Sequence, residues 1–245
     1  MSIKSIIKFL FIAIFLLTAF EFFSFHSFAA QENRCLICHK NIDRDKKNIH
    51  PALKSGCETC HVAVKDLEHP KHNKSMKLLY PLPELCYKCH KEANFKGKHT
   101  HSPVMKGTCM SCHNAHSADF NKLLVSDAPE LCFKCHDRKK FERKHVHTVA
   151  LHNCFRRCHN PHANDNPYCL LMPVNEICVT CHRNQETGNH IATLPGGYIH
   201  PMSGVPNPKN PSKEMTCASC HNPHSSSFAK LFYSKEKCKR CHKYY

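Results

Sequence analysis

Between residues 35 and 242 the chain sets two cysteines and a histidine in one short pattern nine times. Eight copies read C-x-x-C-H: CLICH (35–39), CETCH (57–61), CYKCH (86–90), CMSCH (109–113), CFKCH (132–136), CVTCH (178–182), CASCH (217–221) and CKRCH (238–242). The other, CFRRCH at 154–159, has one extra residue between its cysteines. From His90 to His182 the motif histidines recur every 23 residues, and His159 keeps that interval. Cys158 and His159 are therefore in register, and Cys154 has moved one place upstream.

A larger unit holds two motifs. It opens on a histidine close to proline or valine (His50, His101, His147, His200), and the first cysteine pair follows. Three residues beyond the motif histidine stands another, His116, His162 or His224, in C-H-N-A-H or C-H-N-P-H. A Leu-rich step comes next, then a glutamate two residues before the second pair (Glu84, Glu130, Glu176, Glu236). Four such units, at about 50–90, 99–136, 145–182 and 200–242, follow a single first motif at 35–39. The first unit departs from the pattern, because V-A-V follows His61 and its nearest histidines are His69 and His72. Pro129 followed by Glu130 suits the first turn of a short helix carrying 132–136. No sustained alternation or long amphipathic stretch is present. The expected fold is mostly irregular, with short α-helices around the motifs and little or no β.

On a helix, positions i, i+3 and i+4 share a face, so C-x-x-C-H projects two thiols and one imidazole in one direction. Two thiols can form thioethers with the vinyl groups of a haem edge while the imidazole sits beneath the iron, which is the c-type haem attachment pattern. Zinc sites and redox dithiols also use C-x-x-C, but neither requires histidine immediately after it. The covalent sites are then Cys35 and Cys38, Cys57 and Cys60, Cys86 and Cys89, Cys109 and Cys112, Cys132 and Cys135, Cys154 and Cys158, Cys178 and Cys181, Cys217 and Cys220, and Cys238 and Cys241. The proximal iron ligands are His39, His61, His90, His113, His136, His159, His182, His221 and His242. At 154–159 a local bulge would keep both thiols within reach of the porphyrin. The alternatives there are one thioether through Cys158, or no haem, so the cofactor is nine haem c groups, or eight if that site holds none. Cys169 is left over, as a reactive thiol or one in an intermolecular disulfide, a small buried residue beside Leu170 and Leu171, or a thiolate ligand to a neighbouring iron.

The sequence resembles the multihaem c-type cytochromes with doubled C-x-x-C-H motifs. The resemblance rests on H-S-P-V at 101–104, CMSCHNAH at 109–116, the leucines at 123–124 and E-L-CFKCH at 130–136, echoed over 147–182 and 200–242. It implies that histidines in the two repeated places are distal ligands, usually of a haem other than the nearest. These are His50, His101, His116, His147, His162, His200 and His224, with His69 or His72 for the first unit. One more is drawn from His72, His99, His145 or His190. All-histidine ligation implies low potentials, because a Met ligand raises them. It also closes the iron to substrate. The resemblance thus points to an electron carrier without catalytic residues. The rivals are a multihaem reductase with one open iron and a subunit of an extracellular cytochrome filament.

Lys4 and Lys8, an apolar run from Phe9 to Phe20, and Ser27-Phe28-Ala29 form a secretory signal peptide over residues 1–29, with a retained membrane anchor as the alternative. The expected location is the periplasm or the cell exterior, and residues 30–245 are one cytochrome domain. Residues 30–245 are poor in ordinary core formers, so packed macrocycles lined by the leucine pairs, Tyr87, Phe133 and Phe155 should form the interior. The net charge of +16 would by itself point to nucleic acid or anionic membrane. Haem propionates offset much of it, each ferric haem contributing about −1. The partners are redox proteins (a quinol-side donor, a terminal reductase or an outer-membrane conduit), some of them membrane-associated, and not nucleic acid.

Overall fold

The computed structural model describes residues 34–42, 46–152, 154–185, 200–236 and 238–242. The signal peptide expected over residues 1–29 lies outside them. Each motif sits on about one helical turn. Cys35–Cys38, Glu84–Tyr87, Glu130–Phe133 and Val174–Val179 are α-helical. The last three each follow a proline (Pro83, Pro129, Pro173) and carry the repeat glutamate in the first turn. Proline lacks the N–H that a first turn leaves unpaired, and a carboxylate complements the partial positive charge there. Cys57–Thr59, Cys109–Ser111, Cys217–Ser219 and Cys238–Arg240 are the tighter 3₁₀ turns. So the first motif of a unit starts on a 3₁₀ turn and the second on an α turn in units one and two.

Little β structure is present, as the sequence suggests, but what there is repeats. Asn48–Ile49 pairs antiparallel with Ser117–Ala118, His99–Thr100 with Ala163–Asn164, and His145–Val146 with Ser225–Ser226. In each case the two residues before a leading histidine meet the two residues after the trailing histidine of the next unit. A backbone bond extends each ladder: His50 N–H donates to the His116 carbonyl at 2.7 Å, His101 to His162 at 2.8 Å, and His147 to His224 at 2.9 Å. These latches join neighbours only, so the units are strung in chain order as in a repeat array. Within the first unit His61–Ala63 pairs with Met76–Leu78, and Pro206–Asn207 with Asn210–Glu214 forms an exposed hairpin in the fourth.

The described residues form almost no apolar core. Among the described residues the buried hydrophobic side chains are Ala118, Ala163 and Met215. Ser75, Ser117, Ser225 and Ser226 are buried beside them. Most of these small residues lie on the latch strands, where the backbones approach closely. The buried hydroxyls are satisfied, as buried polar groups must be: Ser117 Oγ donates to the Ile42 carbonyl at 2.8 Å and Ser225 Oγ to that of Lys140 at 2.9 Å.

Gly97 shows how tight a latch is. A Cβ there would stand 2.9 Å from the Asn164 carbonyl carbon and oxygen, backbone atoms that no rotamer change can move. Gly97→Ala should force the 99–100 and 163–164 strands apart and cost about 1–3 kcal/mol, the usual penalty of overpacking. A lowered thermal midpoint of the holoprotein checks this, and an unchanged midpoint refutes it.

Candidate haem-binding sites

The motif turn closes on itself. The histidine N–H donates to the first cysteine's carbonyl in His39→Cys35, His90→Cys86, His113→Cys109, His136→Cys132, His182→Cys178, His221→Cys217 and His242→Cys238, all at 2.9 to 3.0 Å. This bond fixes the imidazole relative to the first thiol. In the stretched copy the same bond is made one residue further, His159 N–H to the Cys154 carbonyl at 2.9 Å. Cys154–Cys158 is accordingly a π turn, whose bonds run from residue i to i+5. The extra residue widens the turn, and both ends of the motif stay linked. The bulge expected from the sequence takes this form.

Among the described residues, eight motif histidines have another imidazole opposite them. The pairs are His39–His69, His50–His90, His61–His116, His101–His136, His113–His162, His147–His182, His159–His224 and His200–His242. All have ring centroids 6.0 to 6.2 Å apart. Other ring contacts in the chain scatter from 4.4 to 6.5 Å. A nitrogen binds a first-row metal at about 2 Å, and the imidazole centre lies about 1 Å behind it, so two imidazoles across one iron have centroids roughly 6 Å apart. The spacing fits haem iron. Among the described residues no three or more His, Cys, Asp or Glu side chains converge as a closed zinc site requires.

The second nitrogens are held as well. His50 Nδ1 donates to the Ala115 carbonyl at 2.8 Å, His101 Nδ1 to Pro161 at 3.0 Å and His147 Nδ1 to Pro223 at 2.9 Å. On the motif side His113 Nδ1 donates to Lys122, His159 Nδ1 to Tyr168 and His221 Nδ1 to Lys230, at 2.7 to 2.9 Å. A carbonyl only accepts, so the proton is on Nδ1 and Nε2 keeps its lone pair for a metal. The three motif-side carbonyls sit on turns in the left-handed region: φ is 60° and 58° at Lys122 and Leu123, 58° and 53° at Tyr168 and Cys169, and 54° and 60° at Lys230 and Leu231. Non-glycine residues hold this conformation at a cost of about 1–2 kcal/mol each, and here it aims a carbonyl at a motif imidazole. Asn114, Asn160 and Asn222 complete the segment by accepting the N–H of His116, His162 and His224 through Oδ1.

Burial lowers the pKa of His116, His162 and His224, the last to about 4, with nearby imidazoles adding to the shift. These rings are therefore neutral at pH 7, the form that ligates a metal.

The cysteines tie one motif to the next. Burial raises the pKa of Cys35 and Cys86, with the neighbouring thiols of Cys57 and Cys109 adding to the shift, and the neighbouring Cys217 thiol raises that of Cys178. Cys60 lies within electrostatic reach of Cys89, Cys112 of Cys135, Cys132 of Cys154, Cys158 of Cys181 and Cys220 of Cys241. Successive junctions alternate between first cysteines and second cysteines. Each motif thus has a cysteine near one of the next motif in chain order, the stretched motif included.

A family model described as the doubled CXXCH motif matches residues 101–141, 147–187 and 210–245. These stretches, just under half of the chain, carry the doubled CXXCH motif, and the three matches are consistent with a multihaem c-type cytochrome. No curated protein matches it in sequence. In this doubled CXXCH protein the seven histidines in register with the repeat each face a motif histidine, and of His69 and His72 it is His69 that faces one. His69 Nδ1 lies 2.9 Å from the hydroxyl of Ser75. Among the described residues His72, His99 and His145 face no motif ring; the latter two are latch residues paired with Asn164 and Ser226. His190 lies outside the described residues. The Cys169 thiol donates to the His99 carbonyl at 3.2 Å, so it braces a latch from its left-handed turn. Sequence reasoning missed the carbonyls at Lys122, Tyr168 and Lys230, since no glycine marks those turns.

Proposed function

We propose that the chain is an electron carrier with haem c at all nine motifs, ligated at eight of them by the motif histidine on one side and the paired histidine on the other, and at the ninth by His221 with His190 as the candidate second ligand. The eight imidazole pairs of near-constant spacing carry this reading. Bound at these sites, haem c supplies one-electron storage and exchange with a neighbouring haem. The residues do the rest. Each cysteine pair holds one edge of the macrocycle covalently. The Nδ1 bonds to carbonyls fix the tautomer and strengthen each imidazole as a donor. Two imidazoles fill both axial positions, which leaves none for a substrate and keeps the potentials below those of Met-ligated haem. The line of cysteine contacts supports one path in chain order.

The same reading puts the protein outside the cytoplasm after removal of residues 1–29. Its surface lysines steer acidic redox partners toward the haem edges, raising encounter rates more than affinity. Such partners are a quinol-side donor and a terminal reductase or outer-membrane conduit. Carbon monoxide added to the fully reduced holoprotein tests the carrier reading. No binding is expected. Stoichiometric binding at one iron would place the chain among the reductases.

A further inference from the structure

Seven of the imidazole pairs have nearly parallel planes, 9° to 33° apart. The pair His200–His242 has the same separation, 6.1 Å, but its planes cross at 87°. The difference has a visible cause. The other leading histidines, His50, His101 and His147, donate Nδ1–H to carbonyls of the next unit, at Ala115, Pro161 and Pro223. His200 Nδ1 instead bonds the carbonyl of its own chain neighbour, Pro201, at 3.0 Å. An axial imidazole turns to satisfy its second nitrogen, so moving the acceptor rotates the ring.

The geometry points to a haem at Cys238–His242 that differs electronically from the seven parallel sites, because the Pro201 carbonyl holds His200 crosswise to His242. This rests on the ligation reading above. The filled π orbital of an imidazole overlaps one of two iron d orbitals. Parallel rings act on the same orbital and split the two apart. Crossed rings act on one each and leave them nearly equal. Ferric low-spin iron with nearly equal orbitals gives an electron paramagnetic resonance signal dominated by one very large g value. Split orbitals give three resolved g values. Without the splitting the ferric form loses some stabilisation, so this end of the line is easier to reduce than parallel rings would make it. Axial-ligand arrangement is one of the protein's levers on haem potential, and here Pro201 sets it.

The test is the paramagnetic resonance spectrum of the ferric holoprotein, of His200→Met and of His101→Met. The wild type should show a large-g component beside the three-g low-spin signals. His200→Met should remove a large-g component and spare the others. His101→Met, at a pair 18° from parallel, should do the reverse. Low-spin signals that are all of the three-g kind in the wild type, or a large-g component at full intensity in His200→Met, would overturn the inference. A ferric protein lacking low-spin bis-imidazole signals altogether would instead overturn the ligation reading on which it rests.

Discussion

Residues 30–245 produced without haem attachment will show collapsed amide-proton dispersion and no cooperative thermal transition. Ordering each residue costs roughly 1.5 kcal/mol in conformational entropy. Against that the polypeptide buries the apolar side chains of Ala118, Ala163 and Met215 among its described residues. The leucines of the repeat do not help: Leu78, Leu79 and Leu171 are 38, 43 and 37% exposed in the protein part. The ion pairs are at the surface, such as Lys46–Asp119 and Lys96–Glu92, and exposed pairs contribute about 0–1 kcal/mol. Two-residue ladders are marginal by themselves. The stabilising terms must come from macrocycle contacts, thioethers and iron ligation, which couple cofactor binding to folding. A well-dispersed apoprotein spectrum would contradict this.

His162→Ala will convert a protein that binds no carbon monoxide into one that binds one molecule per chain. His162 faces His113 at 6.0 Å, with the Phe95 ring edge-on at 5.0 Å on its flank. Its backbone does separate work: the carbonyl accepts from His101 and the N–H donates to Asn160. Alanine keeps both backbone bonds and removes only the imidazole, so the latch persists while one axial position opens. The variant also identifies which histidines matter. His72→Ala removes a ring that faces no motif histidine and should leave binding at zero. Binding in both variants, or in neither, would detach the imidazole pairs from iron ligation. Gas uptake measured against total haem reads the stoichiometry directly.

How much of this was legible in the sequence depended on spacing. The motifs, their doubling and the seven histidines in register could be read because each recurs at a fixed offset. The choice between His69 and His72 could not, since the first unit breaks the pattern; in the structure it is His69, bonded to buried Ser75, that faces His39. The partner of each histidine was not legible either. His116 belongs opposite His61 and His162 opposite His113, which only the inter-unit latches bring about. Those latches are two residues long, too short for the alternation that marks a strand. The place of His99 and His145 on latch strands was not legible for the same reason. The left-handed turns at Lys122, Tyr168 and Lys230 carry ordinary side chains where glycine would have marked them. The stretched motif was half legible: its histidine kept register, and the π turn that absorbs the added residue needed coordinates.

The continuity of the line through Cys154 and Cys158 is the central claim, and the intact mass of the denatured holoprotein tests it most directly. The protein should be matured in a host with c-type haem assembly machinery. Nine covalent haems are predicted, with the stretched motif loaded like the rest. Eight would mean that the π turn does not make a working site, and that the line of sites is interrupted between Cys132 and Cys181.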